Sequence, residues 1–200
     1  LLVIFDCGMA PRKRQIKNNL PIPHVGIVPL AFPKYEPIPT RIHEAALYGP
    51  DGRLLGRTYL LTDVEAIVFR NLHDRMSILV LKQAIRASAK GAMAKTAQDQ
   101  GGVVGAVLSS AYNVVTEQAD LRSWLTLPKN IQVARIPLRA GSHDLRFSLR
   151  DATGRRLRDL PVSVEIEAGR MAMLDARSSS SGLIDLHLYA PGLGGTRGGR

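Results

Sequence analysis

Two hundred residues, 45% hydrophobic and 22% charged, hold enough apolar material for a folded core and exclude a wholly disordered chain. Aromatics make up only 5%, so that core must be built from Leu, Val, Ile and Ala. A formal net charge of +10, from 27 Lys and Arg against 17 Asp and Glu, points to an anionic neighbour or a strongly solvated surface, and a single Cys excludes an internal disulfide and a cysteine-based zinc cluster.

Residues 1–5 (Leu-Leu-Val-Ile-Phe) are a short, wholly apolar, β-branched-rich run ended by Asp6 and Gly8, the pattern of a buried strand. Cys7 follows Asp6 rather than the small apolar residues a lipid-acceptor cysteine needs, so it reads as a small residue at a strand end. The start at Leu1, without Met, reads as a fragment whose targeting segment would lie upstream. Residues 10–16 continue as a polar stretch through Arg12-Lys13-Arg14. Six prolines between 20 and 39 forbid a helix and confine any strand to an edge, with 25–30 as the candidate. Residues 45–61 read as a hairpin turning at Gly49-Pro50-Asp51-Gly52.

A helix is expected from Thr62 as N-cap, with Glu65 completing a capping box. Val64, Ile67, Val68, Leu72, Met76, Leu79 and Val80 repeat at helical spacing, and the helix is expected to run to about residue 98. Lys82, Arg86 and Lys90 fall four apart on one basic face. Gly101-Gly102 breaks the pattern, and 103–116 reads as a second, almost wholly apolar helix. It is too short for the roughly 20 residues that span a bilayer, so burial in the protein or in an oligomer contact is expected. Beyond Trp124 the period returns to two, with strands at 131–136, 144–150, 162–166 and 171–174 and turns at 141–143 and 152–155.

Together these give an α+β fold: a small antiparallel sheet or sandwich with an inserted two-helix hairpin at about 62–98 and 102–118. The expected organisation is one domain over 1–190 (β over 1–61, helical hairpin 62–118, β over 124–190) and a Gly- and Arg-rich flexible tail over 191–200.

No catalytic, cofactor or metal motif stands out. The histidines at 24, 43, 73, 143 and 187 have no ligand spacing, and His73-Asp74 beside Arg70 and Arg75 reads as a polar helix face. Gly101–Gly105 opens a helix but lacks the Lys and Ser/Thr of a phosphate loop. The stretch 116–128 is unusual in packing Glu117, Asp120, Arg122 and the only Trp, Trp124, at a helix-to-strand junction. It reads either as a recognition corner or, favoured, as a structural hinge in which Asp120 and Arg122 pair and Trp124 plugs the core. The second basic candidate is Arg155, Arg156 and Arg158.

Gly8-Met9-Ala10-Pro11-Arg12-Lys13, Asp63-Val64-Glu65-Ala66-Ile67, Thr116 through Pro128, and Ile131 through Leu138 with Gly141-Ser142-His143 occur in that order. Over about residues 1–175 this resembles the C-terminal domain of a poorly characterised family of bacterial envelope lipoproteins with N-terminal tetratricopeptide-like repeats. Gln118 and Leu121 depart from the family pattern, which has a basic residue and a Thr there. The resemblance implies a periplasmic, outer-membrane-associated protein, anchored through a segment upstream, and supplies no catalytic residues.

The functional expectation is a non-catalytic binding or scaffolding module of the envelope that meets an anionic or protein partner through a basic surface. One alternative is a subunit of a ring-like or other oligomeric assembly with 103–116 at the contact. The other is a cell-wall or polysaccharide enzyme with a site assembled only by the fold. Candidate partners are an envelope protein, a second copy, or an anionic polymer or lipid. Nucleic acid is disfavoured, because the basic clusters lack interleaved aromatics.

Overall fold

The structure, a computed structural model, describes residues 1–22, 26–83, 85, 89, 120–180, 182–190 and 193–197. It is mainly β: the described residues form three sheets and a single helix, α1, over 64–83. The expectation of an α+β fold with an inserted two-helix hairpin is therefore corrected. The first helix is present, whereas the segment expected as its partner, 102–118, lies outside the described residues. The rest of the shift in class comes from strands whose sequence signals were weak.

Residues 1–11, 37–67 and 124–200 form one compact unit, and residues 12–36 and 68–123 a second. The first unit is a sandwich of two sheets. One is six-stranded, in the order β12-β11-β10-β1-β7-β6. Its members are β1 (Leu2–Cys7), β6 (Tyr59–Asp63), β7 (Asn130–Arg135), β10 (Met173–Ser178), β11 (Leu183–Ala190) and β12 (Leu193–Arg197). The apolar first strand lies in its middle, parallel to β10 and antiparallel to β7. Strand β12 stands in the stretch expected to be a tail. The other sheet is four-stranded, β5-β4-β8-β9, from β4 (Glu44–Tyr48), β5 (Leu54–Arg57), β8 (Gly141–Arg150) and β9 (Arg156–Ile166).

Alternation builds the core. Val3, Phe5 and Cys7 from β1 and Leu174 and Ala176 from β10 meet Ala45 and Leu47 from β4, Leu145, Phe147 and Leu149 from β8, and Val162, Val164 and Ile166 from β9. Phe5 and Phe147 close it edge to face, with ring centroids 5.9 Å apart. The Cys7 thiol is wholly buried beside the Ile42 carbonyl, and burial pushes it up to about 11, so it stays protonated and packs as an apolar group.

The hairpin expected over 45–61 forms, but its returning strand changes sheets. Strand β5 stays with β4, and β6 crosses to pair with β7. Thr58 sits at the crossing. Its hydroxyl accepts from the Ala45 N–H (2.9 Å) and donates to Gln132 Oε1 (2.6 Å), while Gln132 Nε2 donates to the His43 carbonyl (2.7 Å). A polar pair inside the sandwich is thereby satisfied from both sheets.

In the second unit, β2 (Arg12–Ile22) pairs with β3 (Gly26–Glu36) as a two-stranded ribbon. Pro21, Pro29 and Pro33 are all paired on one alternate set of positions (21 with 27, 19 with 29, 15 with 33). The other set can therefore carry the ladder hydrogen bonds, which is how so proline-rich a segment forms a strand pair. Tyr35 packs edge to face on Phe69 (6.0 Å), and Gln83 Nε2 donates to the Ala31 carbonyl (3.1 Å).

The helix cap is one residue later than expected: Asp63, not Thr62, accepts from the Ala66 N–H (2.9 Å), and Glu65 pairs with Lys129 (2.9 Å) instead of closing a capping box. No helix among the described residues is long and apolar enough to cross a membrane, which says nothing about strands.

Candidate anion-binding face

The alternation that sends Leu145, Phe147 and Leu149 inward turns Arg146, Ser148 and Arg150 outward on the same strand. Register sets Tyr48 opposite Arg146, Ala46 opposite Ser148 and Glu44 opposite Arg150 on one side of β8, and Asp159 opposite Ser148 on the other. Arg57 from β5 stands opposite Ala46. The small residues at the centre, Ala46 and Ser148, are fully buried, so the long side chains around them lie over the sheet.

Arg150 is the anchor. Its Nε donates to the Gly154 carbonyl (2.8 Å), its Nη2 donates to the same oxygen, and its Nη1 lies 3.4 Å from Glu44. Gly154 sits in the 151–155 turn at φ +81°, a conformation that favours glycine, and a Cβ there would come within 3.1 Å of Arg150 Nη2. The turn is tied by Asp151, whose carboxylate accepts from the Thr153 hydroxyl (2.7 Å) and the Thr153 and Arg155 N–H groups, which holds it at about 2. Glu44 also faces Arg57, at 3.8 Å.

At the other end of the face, two guanidinium groups lie over one ring. The Cζ of Arg156 is 4.3 Å from the Tyr48 centroid and that of Arg146 is 5.7 Å away. Both also approach a single oxygen, Asp159 Oδ2, at 3.7 Å from Arg146 Nε and 3.9 Å from Arg156 Nη1. Those separations are attractive but too long for hydrogen bonds. Three outward-facing atoms on β8 are buried without a hydrogen-bond partner: Arg146 Nε, Ser148 Oγ and Arg150 Nη1. Four guanidinium groups thus share two carboxylates, on a face short of acceptors.

Of the residues singled out in the sequence, Arg156 belongs to this face, Arg155 is drawn aside to Asp151 (3.2 Å), and Arg158 is exposed opposite Leu149. Lys82 is exposed on α1, whereas Arg86 and Lys90 lie outside the described residues. The Trp-centred corner is corrected in part. Asp120 and Arg122 do pair, through two bonds of 3.0 and 3.1 Å, and that pairing holds the Asp120 carboxyl at about 2. Lys13 Nζ donates to the Arg122 carbonyl (2.9 Å). Trp124, however, is 73% exposed and plugs no core. Glu117 lies outside the described residues.

Sequence reasoning missed Tyr48, Arg57, Arg146 and Arg150. The signal was present in Arg146-x-Ser148-x-Arg150, the outward half of an alternation whose inward half was legible. Among the described residues no group of His, Cys, Asp and Glu could hold a metal ion. Comparison with protein-family models, with curated proteins and with solved structures gives no match for the chain.

Proposed function

We propose that the chain is a non-catalytic binding module of the bacterial cell envelope that holds an anionic partner against the outer face of its four-stranded sheet. The observation that carries this reading is the convergence of Arg57, Arg146, Arg150 and Arg156 on a surface where, among the described residues, only Glu44 and Asp159 pair with them. The chain's net charge of +10 acts in the same direction at longer range. The envelope setting, with a periplasmic location and an anchor upstream, rests on the resemblance to the lipoprotein family. Heparin serves as a probe polyanion. Arg156→Glu should elute from it at clearly lower salt than Arg170→Glu, which makes the same change in charge on an arginine paired with Glu167 elsewhere. Co-elution of the two variants, after equal retention, removes this face as the contact.

A second reading, a subunit of an assembly of copies, is favoured by β6. It is one of the two outer strands of the six-stranded sheet, and its Tyr59, Leu60 and Leu61 are 72%, 61% and 65% exposed without a charge among them. Leu60→Lys should lower the solution mass if copies meet there. A wild-type chain that is monomeric at all concentrations removes this reading.

A further inference from the structure

The clamp formed by Arg146, Arg156 and Tyr48 has a geometry more specific than a basic patch, and it deepens the anionic-surface reading on which it rests. The two guanidinium groups reach the same oxygen from two adjacent strands, and that oxygen belongs to the protein's own Asp159. Neither distance, 3.7 or 3.9 Å, is a hydrogen bond, and Arg146 Nε has no hydrogen-bond acceptor at all. Asp159 therefore offsets only one of the two positive charges and satisfies neither guanidinium group. Arg156 and Arg146 are partly exposed, and so is Asp159. The ring of Tyr48, itself buried, lies under both guanidinium groups, 4.3 Å from the Arg156 Cζ and 5.7 Å from the Arg146 Cζ.

We propose that this clamp is a binding site for a phosphate group, with Asp159 as an internal placeholder that the ligand displaces from between Arg146 and Arg156. The charge of the ligand follows from the placeholder. An incoming carboxylate would exchange one carboxylate for another and meet repulsion from the displaced one, so it gains little. A phosphate monoester carries close to two charges at neutral pH and three acceptor oxygens, enough to bridge both guanidinium groups with directed hydrogen bonds. Free phosphate and the phosphomonoester headgroup of a lipid present the same chemistry, and both are candidate ligands. No covalent step is involved.

The test uses the full chain, with isothermal titration of inorganic phosphate against chloride at matched ionic strength. A parallel arm measures co-sedimentation with phosphatidylcholine vesicles with and without phosphatidic acid. Saturable binding in either arm is expected, and which arm responds identifies the source. Arg156→Gln should weaken it by roughly tenfold or more, the size of a lost charge-assisted hydrogen bond. Asp159→Asn should tighten it by roughly fivefold, because a like charge beside the ligand is removed. Arg156→Lys keeps the charge, should lose most of the binding for want of a planar fork, and serves if the Gln variant does not fold.

The inference is overturned if neither arm exceeds its control, or if wild type, Arg156→Gln and Asp159→Asn bind alike, or if Asp159→Asn weakens binding while remaining folded. Heparin retention that depends on Arg156, with no phosphate binding, would remove the clamp and leave the anionic-surface reading standing. Loss of both would remove both.

Discussion

Strand β8 shows two chemistries on one backbone. Its inward residues, Leu145, Phe147 and Leu149, are buried against the six-stranded sheet and make the sandwich a single cooperative core. Its outward residues, Arg146, Ser148 and Arg150, share the same ladder and are buried almost as well at their inner atoms, but against charges rather than carbon. Burial alone therefore does not distinguish a packing face from a binding face. What distinguishes them is whether the buried groups are satisfied: the inner face has no open valence, and the outer face has donors without acceptors.

The largest expected effect tests the inner face. Phe147→Ala removes a fully buried ring and its edge-to-face contact with Phe5, and should cost about 3–5 kcal/mol in urea denaturation. A loss below about 1 kcal/mol would mean that the two sheets do not share one core. The next test lies where the chain passes between the sheets. Thr58→Val leaves Gln132 Oε1 buried without its 2.6 Å donor, and should cost about 1–3 kcal/mol. If Thr58→Val and Gln132→Leu together cost no more than either alone, the pair acts as one unit, as the geometry requires.

The outer face should respond in the opposite direction. Ser148→Ala removes a buried hydroxyl that has no hydrogen-bond partner, so the variant should be as stable as wild type or more stable by up to about 1 kcal/mol. A clear destabilisation would show that the hydroxyl is satisfied in solution and that the face is not short of acceptors at this point.

Much of the sandwich was legible because period-two alternation survives wherever one face is buried: 144–150 and 162–166 lie within strands β8 and β9, and 131–136 overlaps β7 up to its end at Arg135. The fold class was not, for two physical reasons. Proline density over 20–39 limited the expected strand to 25–30, yet three of the prolines share one alternate set of pairs and cost the ladder little, so β2 and β3 pair over 12–36. Strand β12 carries Gly-Gly, a composition shared by loops. The candidate face was half legible. Arg156 stood out in a run of arginines, but Arg57, Arg146 and Arg150 are scattered in sequence and meet only through register. Trp124 shows the reverse error, since a lone Trp suggested an anchor and the ring stands in solvent.

The smallest effect concerns the outer face of the other sheet, where a carboxylate is placed without the surplus of arginines seen on the four-stranded sheet. Asp6 points outward from β1, beside Asp175 and Arg177 of β10. Partial burial raises its pKa above the ordinary carboxylate range, the Asp175 charge raises it further, and Arg177 opposes both. The folded chain therefore holds this proton more tightly than the unfolded chain. The resulting contribution to stability is fully present below the ordinary Asp pKa and is lost as pH rises through the raised value. Asp6→Asn removes that loss. The variant should melt higher than wild type at neutral pH, and the difference should vanish as the pH falls below the ordinary Asp range. Equal melting temperatures at every pH would mean that Arg177 fully offsets both the burial and Asp175. The two outer faces would then differ in the number of their arginines but not in how well their carboxylates are paired.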